Sequence, residues 1–95
     1  MKKYKLSNFE KKVYRAILGI PLGQTRSYRW VAKKIGSPNA ARAVGTALGK
    51  NPFAPLVPCH RIVKNDGTIG GYSGGAKKKK ALLEKERVIK KTLAL

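Results

Sequence analysis

The sequence predicts a mainly α-helical, winged-helix-like helix-turn-helix domain with a small β-hairpin. Three observations carry that expectation. Apolar residues recur at helical spacing in several short segments, a glycine-containing turn joins two of these, and Asn65-Asp66-Gly67 is a strong turn signal between two short β-prone runs. With 95 residues the chain has room for one domain, residues 1–95, in which residues 86–95 form a basic C-terminal extension.

Ser7-Asn8-Phe9-Glu10 has the form of a capping box, so a first helix starts there. Phe9, Val13, Ala16 and Ile17 share one face and are assigned to the core, while Gly19 and Pro21 end the run. Gln24-Thr25-Arg26 leads to a second helix capped by Ser27, with Val31, Ala32 and Ile35 inward and Gly36 as its stop. Ser37-Pro38 reads as the next cap followed by a proline in the first turn, and Ala40, Ala43, Val44, Ala47 and Leu48 follow at helical spacing.

Pro52, Pro55 and Pro58 exclude a helix and favour an extended loop that ends at Cys59. Residues 61–64 and 68–69 are the arms of the expected hairpin. A glycine-rich loop, residues 70–75, precedes a last helix over residues 76–88 with Leu82 and Leu83 inward and Lys80 and Glu84 as i,i+4 partners. The lysine run 77–80 reads as a solvated face.

Charge narrows the function classes. The chain has 22 Lys and Arg against 4 Asp and Glu, a formal net charge of +18. Self-repulsion of that size is relieved by a polyanion; nucleic acid leads, an anionic membrane surface follows, and plain solubility is the other reading. The longest uncharged runs, 17–24 and 51–58, are far shorter than the ~18 apolar residues of a membrane span. Residues 1–5 are basic with no apolar stretch behind them, so a cytoplasmic, nucleoid-associated protein is expected, nuclear in a eukaryote.

Cys59 and His60 are the only cysteine and the only histidine, and they are adjacent. One cysteine excludes an intrachain disulfide, and the pair is too small for a Cys/His zinc site, so no metal is expected. A lone cysteine is either a small buried hydrophobe or a nucleophile activated by a nearby base. In an extended segment neighbouring side chains point to opposite sides, so a direct Cys–His dyad would need a turn or a bridging water.

Val57-Pro58-Cys59-His60-Arg61-Ile62-Val63 resembles the active-site signature of the O6-alkylguanine-DNA alkyltransferases. The resemblance runs from about Phe9 to Glu86 through Ile20-Pro21-Leu22-Gly23, Ser27-Tyr28, Arg42-Ala43-Val44-Gly45, Asn51-Pro52 and Gly70-Gly71-Tyr72-Ser73-Gly74-Gly75. It implies DNA repair by single-turnover transfer of an alkyl group from O6-alkylguanine, and by extension O4-alkylthymine, to Cys59 after the nucleotide flips out, without a cofactor. It further implies that Glu86 orients His60, which draws the Cys59 proton through a water, and that Asn51 braces the active-site loop. By the same resemblance Tyr28 crowds the 3′ phosphate and donates to the base. Tyr72, Ser73, Ile62, Gly70 and Gly71 line the substrate pocket.

Arg42 matches a side chain that enters the stack in place of the flipped guanine. The resemblance sets the helix carrying Ala40, Ala41, Ala43 and Gly45, with Ser27 nearby, in the minor groove of double-stranded DNA, and implies a monomer with no membrane partner. Most members carry a further N-terminal domain, and Val88, Ile89, Leu93 and Leu95 are available to cover surface exposed without it. Two rivals share the fold: an alkyltransferase-like protein that binds lesions without chemistry, in which the reactive Cys is missing, and a plain winged-helix DNA-binding protein, which needs neither Cys59 nor His60.

Overall fold

The computed structural model describes residues 5–53, 56–66, 68–70 and 75–93. Among these, four helices carry the fold: α1 (Asn8–Leu18), α2 (Tyr28–Lys34), α3 (Ala41–Gly49) and α4 (Ala76–Leu93). A 3-10 turn (Cys59–Arg61) and two short strands, β1 (Arg26–Ser27) and β2 (Ile62–Val63), lie between α3 and α4 or beside α2.

α1 begins at the expected capping box. Ser7 Oγ accepts from the Glu10 N–H at 3.0 Å and Glu10 Oε1 accepts from the Ser7 N–H at 2.9 Å. These bonds hold the Glu10 carboxyl below the usual carboxylate value. Val13 and Ile17 are fully buried and Phe9 and Ala16 pack partly against them. Tyr14 joins them, its hydroxyl donating to the Ala47 carbonyl at 2.8 Å and its ring standing edge-on to Phe53.

Ser27 caps α2 as expected, accepting from the Trp30 N–H at 2.9 Å. Gly36 then takes φ +78°, a left-handed value that a side chain would resist, and the Ser37 N–H returns to the Ala32 carbonyl at 2.9 Å. The third helix starts later than the sequence suggested. Ser37 closes a turn by accepting the Ala40 N–H on its carbonyl, and Ala40, not Ser37, occupies the cap without a side-chain bond. α2 and α3 pack on each other and both pack on α1, enclosing Val31, Ala32, Val44, Ala47 and Leu48.

The two-stranded sheet is not the expected hairpin. β1 and β2 run parallel, Arg26 opposite Ile62 and Ser27 opposite Val63. The turn signal is still used: Lys64 donates its N–H to the Thr68 carbonyl at 2.9 Å, and Asp66 Oδ1 accepts from both the N–H and the hydroxyl of Thr68. β2 takes β1 as its partner instead, and the carbonyls of Ile62 and Ile69, on the two arms, accept from the Lys79 ammonium.

α4 runs to Leu93, five residues beyond the expected end, so the basic extension continues a helix. Leu82 and Leu83 are half-buried, but Val88, Ile89 and Leu93 are exposed at 52%, 39% and 76%, and Leu95 lies outside the described residues. The stem that lies against the body there is Lys90, over Gly23. Among the described residues no helix is long and apolar enough to cross a membrane.

Because the Ala47 carbonyl also receives the Lys50 N–H, deleting the Tyr14 hydroxyl leaves it with a partner. Tyr14→Phe is therefore expected to cost about 0.5–1.5 kcal/mol, read as a lower denaturation midpoint with an unchanged slope. A loss of several kcal/mol would mean that the phenol does more than bridge α1 to α3.

Candidate active site

Cys59 opens the 3-10 turn directly after Pro58. Its N–H donates to the Val57 carbonyl at 2.8 Å, and the Arg61 N–H closes onto the Pro58 carbonyl at 2.9 Å. The backbone is therefore turned at Cys59 and His60 rather than extended, and the alternation that opposed a Cys–His pairing does not apply. Cys59 is 3% exposed and His60 is 1% exposed.

His60 Nε2 lies 2.8 Å from Glu86 Oε2. A carboxylate accepts, so Nε2 carries the proton and the buried Nδ1 is the basic nitrogen of the neutral ring. Arg61 holds the same carboxylate from the other side, Nε to Oε1 and Nη2 to Oε2, both at 2.8 Å, while its Nη1 donates to the Ile20 carbonyl at 2.9 Å. This fork–fork contact fixes the plane of the carboxylate. Burial pushes the Glu86 carboxyl up, but the bonds and charges of Arg61 and His60 outweigh it and leave it below the usual 4.5.

The loop before Cys59 is braced by Asn51, which is buried after α3. Its Nδ2 donates to the Val57 carbonyl at 2.9 Å and its Oδ1 accepts the Phe53 N–H at 2.9 Å. Both bonds serve a stretch in which prolines have removed backbone donors.

Lys79 corrects the expectation of a uniformly solvated lysine run. It is fully buried, and its ammonium donates to the carbonyls of Ile62 and Ile69, each at 2.5 Å. Burial draws its pKa below 10.5, and negative charge on Cys59 pulls it the other way. A cation thus sits in the electrostatic neighbourhood of the thiol.

Tyr28, Ala41, Arg42, Gly45, Lys64 and Asn65 line an open groove of about 470 Å³. Arg42 stands exposed on α3, with Lys64 on the turn after β2. Tyr28 is half-buried in the groove wall: burial raises its phenol, and negative charge on Cys59 raises it further. Its hydroxyl would stand 3.1 Å from a Cβ placed on Gly70, whose φ of +73° also favours glycine.

The sequence model of the family described as 6-O-methylguanine DNA methyltransferase, DNA binding domain, matches residues 8–88. The chain belongs to that family. A methylated-DNA–protein-cysteine methyltransferase of Mycobacterium tuberculosis is 52% identical over 81 residues, covering 85% of this chain and 49% of that protein. The chain thus spans about half the length of the curated relatives it matches. The crystal structure of M. tuberculosis OGT in complex with DNA superposes with a TM-score of 0.86 at 50% identity, covering 88% of this chain and 52% of that one. S. pombe Atl1, in complex with damaged DNA containing O6-carboxymethylguanine, gives 0.77 at 34% identity, covering 87% of this chain and 79% of that one.

Of the residues expected at the site of this alkyltransferase-family domain, Cys59, His60 and Glu86 come together, with Asn51 behind them. Arg42, Tyr28, Ala41 and Gly45 share the groove, and Ala43 is exposed on the same helix. Ser27 has its hydroxyl engaged in capping α2. Ile62 is a core residue at 0% exposure and does not line the groove. Gly71, Tyr72 and Ser73 lie outside the described residues. Among the described residues no three His, Cys, Asp or Glu side chains gather where a metal would need them.

Sequence reading missed Arg61, Lys64, Asn65 and Lys79. Helical spacing held a signal for the last: Lys79, Leu82, Leu83 and Glu86 fall at i, i+3, i+4 and i+7, one face of α4.

With its folded pKa below the unfolded one, Glu86 contributes stability that is complete above about pH 4.5 and is lost as pH falls through the folded value. Other lowered carboxyls contribute alike in both proteins, so comparing wild type with Glu86→Gln isolates this one. Glu86→Gln should lower the midpoint of urea denaturation at neutral pH, and the gap should close as the pH drops. A gap that persists at about pH 2 would show that the clamp does not depend on the carboxylate charge.

Proposed function

We propose that this chain transfers an alkyl group from O6-alkylguanine in DNA, and by the same chemistry O4-alkylthymine, to Cys59 in one irreversible turnover. The observation that carries the reading is the adjacency of a buried cysteine to a buried histidine held by a partly buried carboxylate, His60 Nε2 to Glu86 Oε2 at 2.8 Å. The thiol proton passes through a water to His60 Nδ1, and Glu86 stabilises the imidazolium that forms. The Cys59 Sγ–C bond forms as the C–O6 bond breaks. The electron pair stays on the base, which leaves as guanine after taking a proton.

A thiol at 3% exposure does not reach a paired base, so the nucleotide rotates out of the duplex before transfer. The groove lined by Ala41, Arg42 and Gly45 suits close approach of a minor groove only ~6 Å wide, with Arg42 entering the vacated stack and Tyr28 between groove and thiol. Exposed charge supports DNA as the partner of a chain at +18.

The likeness to Atl1 bound to damaged DNA favours a second reading, lesion recognition without transfer. The two differ in mass. Mixed with an oligonucleotide bearing O6-benzylguanine, the wild-type chain should gain one benzyl group on the Cys59 peptide, and Cys59→Ala should gain none while still binding. Arg42→Ala should slow transfer from duplex about tenfold or more yet leave reaction with free O6-benzylguanine nearly untouched, since free base has no unstacking cost. No adduct on the wild type would establish the recognition reading. Equal losses on duplex and free base would remove the intercalating role of Arg42.

A further inference from the structure

α4 carries more positive charge than its place in the fold uses. Ala76–Leu93 holds eight Lys and Arg residues against two Glu. Both carboxylates are engaged, Glu86 by His60 and Arg61 and Glu84 by Arg87. Lys79 points inward to the Ile62 and Ile69 carbonyls, and the Lys90 stem is laid so tightly on the turn at Gly23 that a Cβ there would stand 2.6 Å from Lys90 Cδ.

The helix therefore joins the body along Lys79, Glu86 and Lys90. At ~100° per residue, Lys77, Lys80, Arg87 and Lys91 fall within about 80° of arc on a flank centred about 120° round the helix from that seam, in a row rising about 21 Å. All four are exposed. Phosphates along one strand of duplex recur every ~3.4 Å of axis, so the row matches about six base pairs. Like charges three and four residues apart destabilise an isolated helix, a strain that a polyanion relieves. Arg87 and Lys91 also flank a shallow hollow with Val88 and Thr92 on this face.

No residue of α4 lines the Arg42 groove, so a duplex seated there does not neutralise Lys77, Lys80 and Lys91, whereas Arg87 in the same row is bridged to Glu84. The family match ends at residue 88, whereas α4 continues through Lys91 to Leu93. We propose that the outer face of α4 is a second, sequence-independent DNA surface. It binds the phosphates of a duplex segment other than the one at the Arg42 groove, and one chain bridges the two.

The test uses the full chain and undamaged DNA, so it does not depend on Cys59 chemistry and can fail while the transfer reading stands. An immobilised duplex is loaded with protein at low salt, and retention of a second, fluorescent duplex is measured. Wild type should retain it, and the combined variant Lys77→Gln, Lys80→Gln, Arg87→Gln, Lys91→Gln should retain about tenfold less or lower while still binding the immobilised strand. Circular dichroism checks that the variant is helical. If it is not, the pair Lys80→Gln, Lys91→Gln should still reduce retention severalfold. Retention unchanged in a folded variant would overturn the proposal, because bridging would then run through chain–chain contact. A wild type that bridges nothing but sediments with anionic phosphatidylserine vesicles would overturn it in favour of a membrane surface.

Discussion

The Glu86 carboxylate is the point through which α4, the 3-10 turn and the end of α1 are held together. Its two oxygens are shared between His60 and Arg61, and Arg61 passes the connection on to the Ile20 carbonyl. A partly buried ion pair of this kind is costly to assemble, because both charges lose much of their water, and more costly to leave half made. Here the cost is offset by geometry: the Arg61 fork satisfies both oxygens and the imidazole satisfies a third acceptor site. One carboxylate thus fixes where α4 lies and which nitrogen of His60 carries the proton.

Around that point the remaining polar groups of the site are committed in turn. Asn51 holds the loop that delivers Cys59, and Lys79 gathers the carbonyls of Ile62 and Ile69 so that β2 and the following turn keep their place beside the groove. Tyr28 connects the two regions, since it lines the groove, meets Gly70 and feels charge on Cys59.

Much of this was legible in the sequence, and the parts that were not share a cause. The caps at Ser7 and Ser27, the stop at Gly36 and the core faces of α1 to α3 follow from local bonding and spacing, and local rules describe them well. The adjacency of Cys59 and His60 was visible, but the loop that enters their turn is held by Asn51, whose Nδ2 donates to the Val57 carbonyl six residues on. The strand partner of Ile62 and Val63 is β1, thirty-six residues back in the chain, and the Ile62 and Ile69 carbonyls accept from Lys79, seventeen and ten residues on. A lysine in a run of four carries no local mark of burial, and Arg61 gives no sign that its partner lies twenty-five residues on. Non-local polar partners decided each of these positions.

The assignment of His60 as a base held by Glu86 rests on one proton. With the Glu86 carboxylate accepting from Nε2, the neutral ring carries its hydrogen on Nε2 and its buried Nδ1 is the unprotonated nitrogen. Nitrogen-15 chemical shifts of the single histidine, recorded at about pH 8, report the tautomer directly. A protonated Nε2 and an unprotonated Nδ1, reverting to a mixture in Glu86→Gln, is the expected result. A proton on Nδ1 in the wild-type chain would contradict the arrangement, because neither the contact with Glu86 nor the path from Cys59 would then exist as drawn.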